Sequence, residues 1–158
     1  MLKLRRFSRR DSAAVALLIM QTYKKFNSRE FFRRSAVEDY ISRYDPARNS
    51  VSQLNEMFGR TPIFFVAVDN GKIVGMVRGR KDRVINLFVD ARQHRKGIGR
   101  MLMNKFESEA RVQSSREIRI RASLYATLFY QKVGYKKTTG IRNFHGLKIY
   151  PMRKTLAR

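Results

Sequence analysis

The sequence contains no cysteine, and its only histidines are His94 and His145. Without thiols the chain has no disulfide bonds, no cysteine-ligated zinc and no thiol nucleophile. Two histidines argue against a histidine-rich centre, so we predict no metal site. The apolar runs are all short, and none approaches the roughly 18 residues that a membrane-spanning helix needs. The basic start, MLKLRRFSRR, is not followed by an apolar segment of the secretory type. Together these absences predict a cytoplasmic protein that has no membrane partner.

Acidic residues are also scarce, with 12 Asp and Glu against 35 Lys and Arg, which gives a formal net charge of +23. A chain with this charge attracts nucleic acids, anionic cofactors and acidic proteins. The cations are spread along the chain without a polybasic tail, so most of them belong to a solvated surface and only local clusters require a ligand. Because the chain has 158 residues, 43% of them hydrophobic, we predict a single domain over residues 1–158.

The first third of the chain is mainly helical by its apolar spacing, after a first strand predicted for the alternating segment LKLRRF. Asp11 is placed to cap a helix whose apolar positions follow a period of about 3.6 residues. These positions are Val15, Leu18, Ile19, Thr22 and Phe26. Two capping boxes predict two further helices, and they consist of Ser35 with Glu38 and of Ser50 with Gln53.

Strand-like runs dominate from residue 62 onward. TPIFFVAVD and KIVGMVRGR form a hairpin around Asn70-Gly71, and VINLFVD is a third apolar run. A helix follows, with apolar positions at Ile98, Met101, Leu102, Phe106 and Ala110. IRIRA is a strand, LYATLFYQKV a short helix, and GYKKTTG and LKIYPMRKTL are two closing strands. Pro151 lacks an N–H and therefore requires an edge position or a bulge. The order predicts a mixed α/β fold, with helices around one sheet.

The segment RQHRKGIGRML, residues 92–102, is suited to hold phosphate. It is not a P-loop, because no Lys-Ser/Thr pair follows its second glycine, and the dinucleotide fingerprint would need a third glycine at Leu102. Gly97 and Gly99 remove side chains where the main chain approaches a ligand, and the N–H groups of the first helical turn bind anions. Three side chains add full charges at the same point: Arg95, Lys96 and Arg100. Taken alone, the Gly-x-Gly pattern fits an ordinary surface turn equally well.

A second motif lies about two dozen residues further on. HRKGIG after NLFV, followed by IRIRASLYATLFYQKVGYKKT, resembles the GNAT superfamily of acyl-CoA N-acyltransferases. Its first signature, Arg/Gln-x-x-Gly-x-Gly/Ala, is read here as His94 to Gly99. Its second, a small polar residue, then Ala, then aromatic-Tyr-x-Lys-x-Gly-aromatic, is read as Ser123, Ala126 and residues 129–135. His94 stands where Arg or Gln is usual, and Ser123 where many relatives carry Asn. The resemblance covers roughly residues 62–155.

The resemblance implies a central mixed, mostly antiparallel sheet of about 6–7 strands that is splayed in the middle and flanked by about four helices. It implies acetyl-CoA as co-substrate, whose pantetheine arm lies in a wedge between VINLFV and IRIRA and pairs with the main chain of Leu87, Phe88 and Val89. Ser123 and Phe129 would contact the cofactor arm from the second helix. The pyrophosphate would bind the turn formed by His94, Arg95, Lys96, Gly97, Ile98, Gly99 and Arg100.

The resemblance also implies direct transfer of the acetyl group to an amine, with Tyr130 as the acid that protonates the leaving thiolate. Outside the motif, Tyr130 would simply be a core aromatic residue. Many relatives carry a Glu base early on the third strand of this region, where this sequence has Arg83. Three residues are alternative bases, none of which is assigned: Asp82, Glu56 and His145.

The sequence does not specify the identity of the acceptor amine. Basic charge around the site would favour a neutral or acidic acceptor over a polycation. A rival hypothesis is a nucleic-acid- or ribosome-associated binding protein that uses a GNAT-like scaffold without catalysis, and a third is an acetyltransferase for ribosomal or other nucleic-acid-associated proteins. The aromatic residues fall mostly at core periods, which disfavours a nucleic-acid partner. Whether the protein forms a homodimer is also left open.

Overall fold

The computed structural model describes residues 1–157 and confirms the predicted α/β fold. Short 3-10 turns precede α1 and α4. The strands and helices, in chain order, are β1 Leu2–Arg6, α1 Ser12–Asn27, α2 Ser35–Ser42, α3 Val51–Gly59, β2 Ile63–Asp69, β3 Lys72–Arg80, β4 Arg83–Val89, α4 Ile98–Val112, β5 Glu117–Ser123, α5 Thr127–Lys132, β6 Lys136–Lys137, β7 Arg142–Phe144 and β8 Leu147–Thr155.

All strands lie in one sheet with the order β1-β2-β3-β4-β5-β8-β6, and β7 also pairs with β8. Every pair is antiparallel except β4 and β5, whose parallel pairing is limited to Arg83 with Arg119 and Val84 with Ile120. Beyond these residues the two strands separate, which confirms the predicted splay in the middle of the sheet. We call this gap, between residues 86–89 of β4 and 121–123 of β5, the wedge.

A β-bulge in β4 lies next to the point where the wedge begins. Arg78 of β3 pairs with Asn86, whereas the next residue, Gly79, pairs with Val84, so Ile85 is an extra residue on β4. A side chain on Gly79 would meet the carbonyl oxygen of Arg83, so glycine is required for the strands to approach this closely.

Helices cover both faces of the sheet. On one face α4 packs on a core that includes Phe65, Leu102, Met103, Phe106 and Ile118. Met101, predicted for this core, is 39% exposed, and Met103 is buried in its place. On the other face α1 and α3 pack on a second core that includes Ile19, Leu54, Phe58, Phe64 and Met76. Among the described residues, no helix combines the length and the apolar character needed to cross a membrane.

Two of the three predicted helix caps are wrong. Asp11 does not cap α1 with its carboxylate, which instead accepts a hydrogen bond from the Ser8 N–H at 2.8 Å and pairs with Arg5 at 2.7 Å. Ser35 is already helical and is preceded by Arg34 in helical conformation, so the expected box with Glu38 does not form. The box at α3 is confirmed. The Gln53 N–H donates to the Ser50 hydroxyl oxygen at 3.1 Å, and the Ser50 N–H donates to the Gln53 side chain at 2.8 Å.

The end of the chain forms three strands where two were expected, so the sheet has eight strands rather than six or seven. His145 and Gly146 both have positive φ angles, 52° and 91°, and make a tight turn that creates β7. β8, which contains Pro151, is paired on both sides. The prediction that this proline requires an edge strand or a bulge is therefore wrong. The Pro151 carbonyl accepts from the Thr138 N–H at 2.9 Å, on the side where the pairing with β6 has ended and that with β7 has not begun.

Candidate active site

The wedge has a free main-chain edge on β4. Leu87, Phe88 and Val89 pair with β3 on one side, while no strand pairs with them on the side of β5. Leu87 and Val89 pack against the core under α4, and Phe88 packs against the cores on the opposite face. The structure therefore brings all three predicted residues to the edge of the wedge.

The basic turn, residues 94–100, follows the end of β4 and leads into α4. Arg95 and Gly97 both have left-handed conformation, with φ angles of 67° and 80°. The first helical hydrogen bond runs from the Met101 N–H to the Gly97 carbonyl at 3.0 Å. Within the described part of the chain, the N–H groups of residues 96–100 have no hydrogen-bond acceptor. Such a concave series of free N–H groups at a helix N-terminus is an anion-binding arrangement.

Glycine is explained by different structural features at the two positions of this turn, Gly97 and Gly99. A Cβ atom on Gly97 would meet nothing within 4 Å, so its glycine is explained by the positive φ. A Cβ atom on Gly99 would lie 3.1 Å from the ring of Phe129. The missing side chain of Gly99 was expected to give room to a ligand, whereas in the structure Phe129 of α5 packs into that space against α4.

The side chains of the basic turn are arranged unequally. Arg95, Lys96 and Arg100 are exposed, and the ammonium group of Lys96 donates to Gln93 at 3.1 Å. His94 has its Nε2 atom 2.8 Å from the carbonyl oxygen of Val89. One ring nitrogen of this histidine is thus engaged with the end of β4, which leaves Nδ1 for any contact to a ligand.

An aromatic stack spans the open end of the wedge. Phe26 of α1 stacks on His94, after β4, and on Tyr125, after β5, with ring centroids 4.9 and 4.5 Å apart. Glu30 supports the same connection, because its carboxylate accepts hydrogen bonds from the N–H groups of Leu124 at 3.1 Å and Tyr125 at 2.8 Å. Sequence reasoning missed these contacts, since the partners lie 68 to 99 positions apart and no local motif signals them.

Tyr130 lies in the core under α4, 5% exposed. Its ring packs edge-on against Phe129 and Tyr135, with centroids 5.3 and 5.8 Å away. Burial raises the pKa of Tyr130 well above its usual value, so at neutral pH the phenol is protonated and available as a donor. No group within residues 1–157 forms a hydrogen bond with this hydroxyl. Ala122 of β5 belongs to the same hydrophobic cluster, and Leu87 and Val89 pack against it.

Ser123 ends β5 and shapes the turn into α5. Its hydroxyl oxygen accepts a hydrogen bond from the Ala126 N–H at 3.2 Å, and its carbonyl accepts one from the Thr127 hydroxyl at 2.9 Å. Both oxygen atoms thus fix the start of the short helix that carries Phe129 and Tyr130.

The three alternative bases are all exposed side chains. Asp82 is exposed and paired with Arg80 at 2.9 Å, and Glu56 is exposed and paired with Arg60. His145 lies in the turn between β7 and β8, edge-on to the Phe144 ring at 4.5 Å.

Arg83 instead lines a cavity of about 190 Å³ on the face opposite α4. We call it the arginine cavity, since four of its lining residues are arginines. The lining consists of Arg83, Arg119, Ile120, Arg121, Thr138, Arg142, Asn143, Phe144, Ile149, Pro151 and Met152.

A buried polar network adjoins the bulge on the same face. Arg78 is 6% exposed and has no carboxylate partner within residues 1–157. Its guanidinium donates to Asn86 at 2.6 Å, Thr61 at 2.9 Å and Tyr44 at 3.2 Å, and Asn86 donates to the Tyr40 hydroxyl at 3.0 Å. The network ties β3 and β4 to α2 and to the segments flanking α3.

Comparisons with known proteins agree with this geometry. A family model described as an acetyltransferase (GNAT) domain matches residues 32–156. No curated protein matches the sequence. A GCN5-related N-acetyltransferase from Rhodopseudomonas palustris superposes with a TM-score of 0.81 at 18% identity, covering 98% of this chain and 95% of that one. The PaiA N-acetyltransferase of Thermoplasma acidophilum, solved in complex with coenzyme A, gives 0.71 at 16% identity, covering 99% of both chains.

The family match covers most of the chain, and both motifs lie within it at the wedge and the basic turn. The enzyme class predicted from the two motifs, an acyltransferase, is confirmed. The chain belongs to the GNAT family of acetyltransferases.

Proposed function

We propose that residues 1–158 form one acetyltransferase domain that transfers the acetyl group of acetyl-CoA directly to an amine acceptor. The observation that carries this proposal is the combination of the free N–H groups at residues 96–100 with the unpaired β4 edge and the buried phenol of Tyr130.

The basic turn fits a diphosphate. Its free N–H groups and the positive end of the α4 dipole favour an anion, and Gly97 leaves the approach open. The exposed Arg95, Lys96 and Arg100 add full charges around the same point. His94 contributes at most through Nδ1, since its other nitrogen contacts Val89.

The wedge fits the pantetheine arm, because that arm alternates amides with methylenes and the β4 edge offers main-chain groups that no strand pairs with, of which the Val89 carbonyl contacts His94. An arm that pairs with residues 87–89 lies between two strands, much as a further strand would. Phe129 packs on the first turn of α4 and Ser123 fixes the start of α5, so both shape the wall beside this arm.

Tyr130 is the proposed acid. When the amine attacks the thioester, the C–N bond forms, the C–S bond breaks, and the thiolate takes the phenol proton. Although burial raises the pKa of Tyr130, the same apolar surroundings also disfavour a thiolate, so the proton transfer remains matched. The amine loses its proton to water in this scheme, and no side chain is assigned as base.

The test compares two tyrosine variants. Tyr130→Phe lowers kcat by roughly 100-fold or more and leaves acetyl-CoA affinity, measured by calorimetry, within about twofold. Tyr150→Phe, on β8, is the matched control and keeps wild-type turnover. Unchanged turnover in Tyr130→Phe would refute the acid, and a calorimetric titration without acetyl-CoA binding would refute the whole proposal.

A second candidate function rests on the charge of +23 and on Arg83 in the position of the usual base. In that alternative the scaffold binds nucleic acid or a ribosome without catalysis. RNA binding that weakens steeply with salt, together with no binding of acetyl-CoA, would favour it.

A further inference from the structure

The arginine cavity concentrates positive charge that the protein itself does not neutralise. Its arginines come from three strands, β4, β5 and β7, and its lining contains no acidic residue. Arg119 pairs with Glu117 at 3.0 Å, and Arg153, outside the cavity, contacts the same carboxylate at 3.5 Å. Within residues 1–157, Arg83, Arg121 and Arg142 form no ion pair.

Two of these cations are held by their surroundings, although Arg121 and Arg142 are exposed. The guanidinium of Arg121 lies over the Phe144 ring, 4.4 Å from its centroid. Arg83 is half-buried, and its pKa is lowered, first by burial and then by the neighbouring charges of Arg121, Arg80 and Arg119, against the opposing effect of Asp82. Like charges fixed this closely repel one another, and a bound anion would relieve that repulsion.

The cavity lies at the closed end of the wedge. Arg83 and Arg119 form the outer of the two parallel pairs between β4 and β5, and Arg121 follows Ile120, the last residue of β5 that pairs with β4. The free β4 edge that would pair with the pantetheine arm starts only a few residues beyond Arg83. A ligand in the cavity is therefore adjacent to the place where the acetyl group would react.

Size and chemistry limit what this cavity can bind. Its volume of about 190 Å³ is below the range typical of whole drug-sized ligands, so it holds one group of a small molecule. Guanidinium forks bind planar carboxylates and phosphates through paired hydrogen bonds.

We infer that the acceptor is a small amine that also carries a carboxylate or phosphate group, and that Arg83, Arg121 and Arg142 bind this group. The inference rests on the proposed function and adds the chemical class of the substrate. It makes Arg83 a specificity residue at the position of the missing base.

The experiment uses acceptors that differ only in their terminal group: 5-aminopentanoate, the isosteric and neutral 5-aminopentanamide, and the corresponding aminoalkyl phosphate. The anionic acceptors are expected to have kcat/KM values at least about 10-fold above the amide, in keeping with the strength of charge-assisted hydrogen bonds. The carboxylate and phosphate arms show which anion is preferred.

Variants locate the effect. Arg121→Gln and Arg83→Gln are expected to raise KM for the anionic acceptors about 10-fold or more, while acetyl-CoA affinity stays within about twofold. Arg153→Gln removes the same charge from β8 outside the cavity and should change neither value. Without acetyl-CoA, the anionic acceptors should raise the Tm of the wild type but not of Arg121→Gln.

Three results would overturn the inference: equal rates with amide and anions, an equal effect of Arg153→Gln, or RNA binding that Arg121→Gln abolishes while anionic acceptors neither react nor raise the Tm. If anionic acceptors raise the Tm through Arg121 but acetyl-CoA does not bind, the anion site stands and the proposed acetyl transfer fails.

Discussion

The two sides of the wedge are built for recognition by different means. On the side of α4, the groups that we propose to face a ligand are main-chain N–H and C=O groups of β4 and of the basic turn. On the opposite side they are the guanidinium groups of the arginine cavity. Main-chain groups serve one invariant partner regardless of side chains, whereas side chains can be exchanged to suit different acceptors. The contrast agrees with a constant acyl donor and a variable acceptor.

The largest expected effect on stability comes from replacing the buried Arg78, in contrast to the exposed arginines of the arginine cavity on the same face of the sheet. Arg78→Met removes three hydrogen bonds and leaves the Asn86 Oδ1 atom and the Tyr44 hydroxyl with only the long hydrogen bond of 3.4 Å between them, so the free energy of unfolding should fall by about 3 kcal/mol. Arg121→Met removes a repelled, exposed charge and should leave that free energy unchanged or slightly higher. Urea denaturation measures both variants, and equal losses would show that the cavity arginines are structural.

The next effect tests the main-chain side. Gly97→Ala places a Cβ at a φ of 80°, which should cost about 1 kcal/mol of stability and weaken acetyl-CoA binding, because the N–H groups depend on this turn. Gly59→Ala is the matched control, since both glycines have nothing within 4 Å of the added atom but only Gly97 has a positive φ. Tm and calorimetry measure the pair. Equal acetyl-CoA affinity in both variants would contradict the role of the turn.

The smallest effect concerns acid pH on the main-chain side. The pKa of Asp90 is lowered by hydrogen bonds from the Arg92 side chain, which, together with one from the Arg92 N–H, outweigh the opposing effect of burial. Because the folded pKa lies below the unfolded one, this carboxylate stabilises the turn above about pH 4 and that stabilisation is lost as the pH falls through the folded pKa. Asp90→Asn should therefore lower Tm slightly at pH 7, and this loss should disappear as the pH falls through the folded pKa. A pH series of Tm values checks this, and a loss that is constant with pH would contradict it.

What the sequence predicted correctly depends on short-range patterns. The Asn70-Gly71 hairpin, the box at Gln53 and the turn at Gly97 that opens α4 each lie within a few residues, and all three appear in the structure. The wrong caps at Asp11 and Ser35 are also informative. Their side chains form hydrogen bonds with Arg5 and Arg33, which lie six and two positions before them and are not part of the capping motif.

The arginine cavity could not be predicted from the sequence, because its residues are far apart in the chain. The three cavity arginines that form no ion pair within residues 1–157 are spread over 59 positions and are brought together only by strand pairing. Arg78 looked like one more solvated cation, because nothing in KIVGMVRGR marks it as buried. Net charge suggested a neutral or acidic acceptor, but only the folded chain indicates which cations are without partners.

The extra residue Ile85 determines which side chains of β4 lie on the same face of the sheet. In a regular strand, residues three apart point to opposite faces, yet Arg83 lines the arginine cavity and Asn86 joins the Arg78 network on the same face. Shortening β4 by Ile85 would turn residues 86–89 over, driving Phe88 into the core under α4 and exchanging the inward and outward edges offered to the thioester donor. One inserted amino acid thus determines which face of the sheet each later side chain of β4 occupies, and with it which wall of the cleft would contact the charge of the substrate and which the acyl carrier.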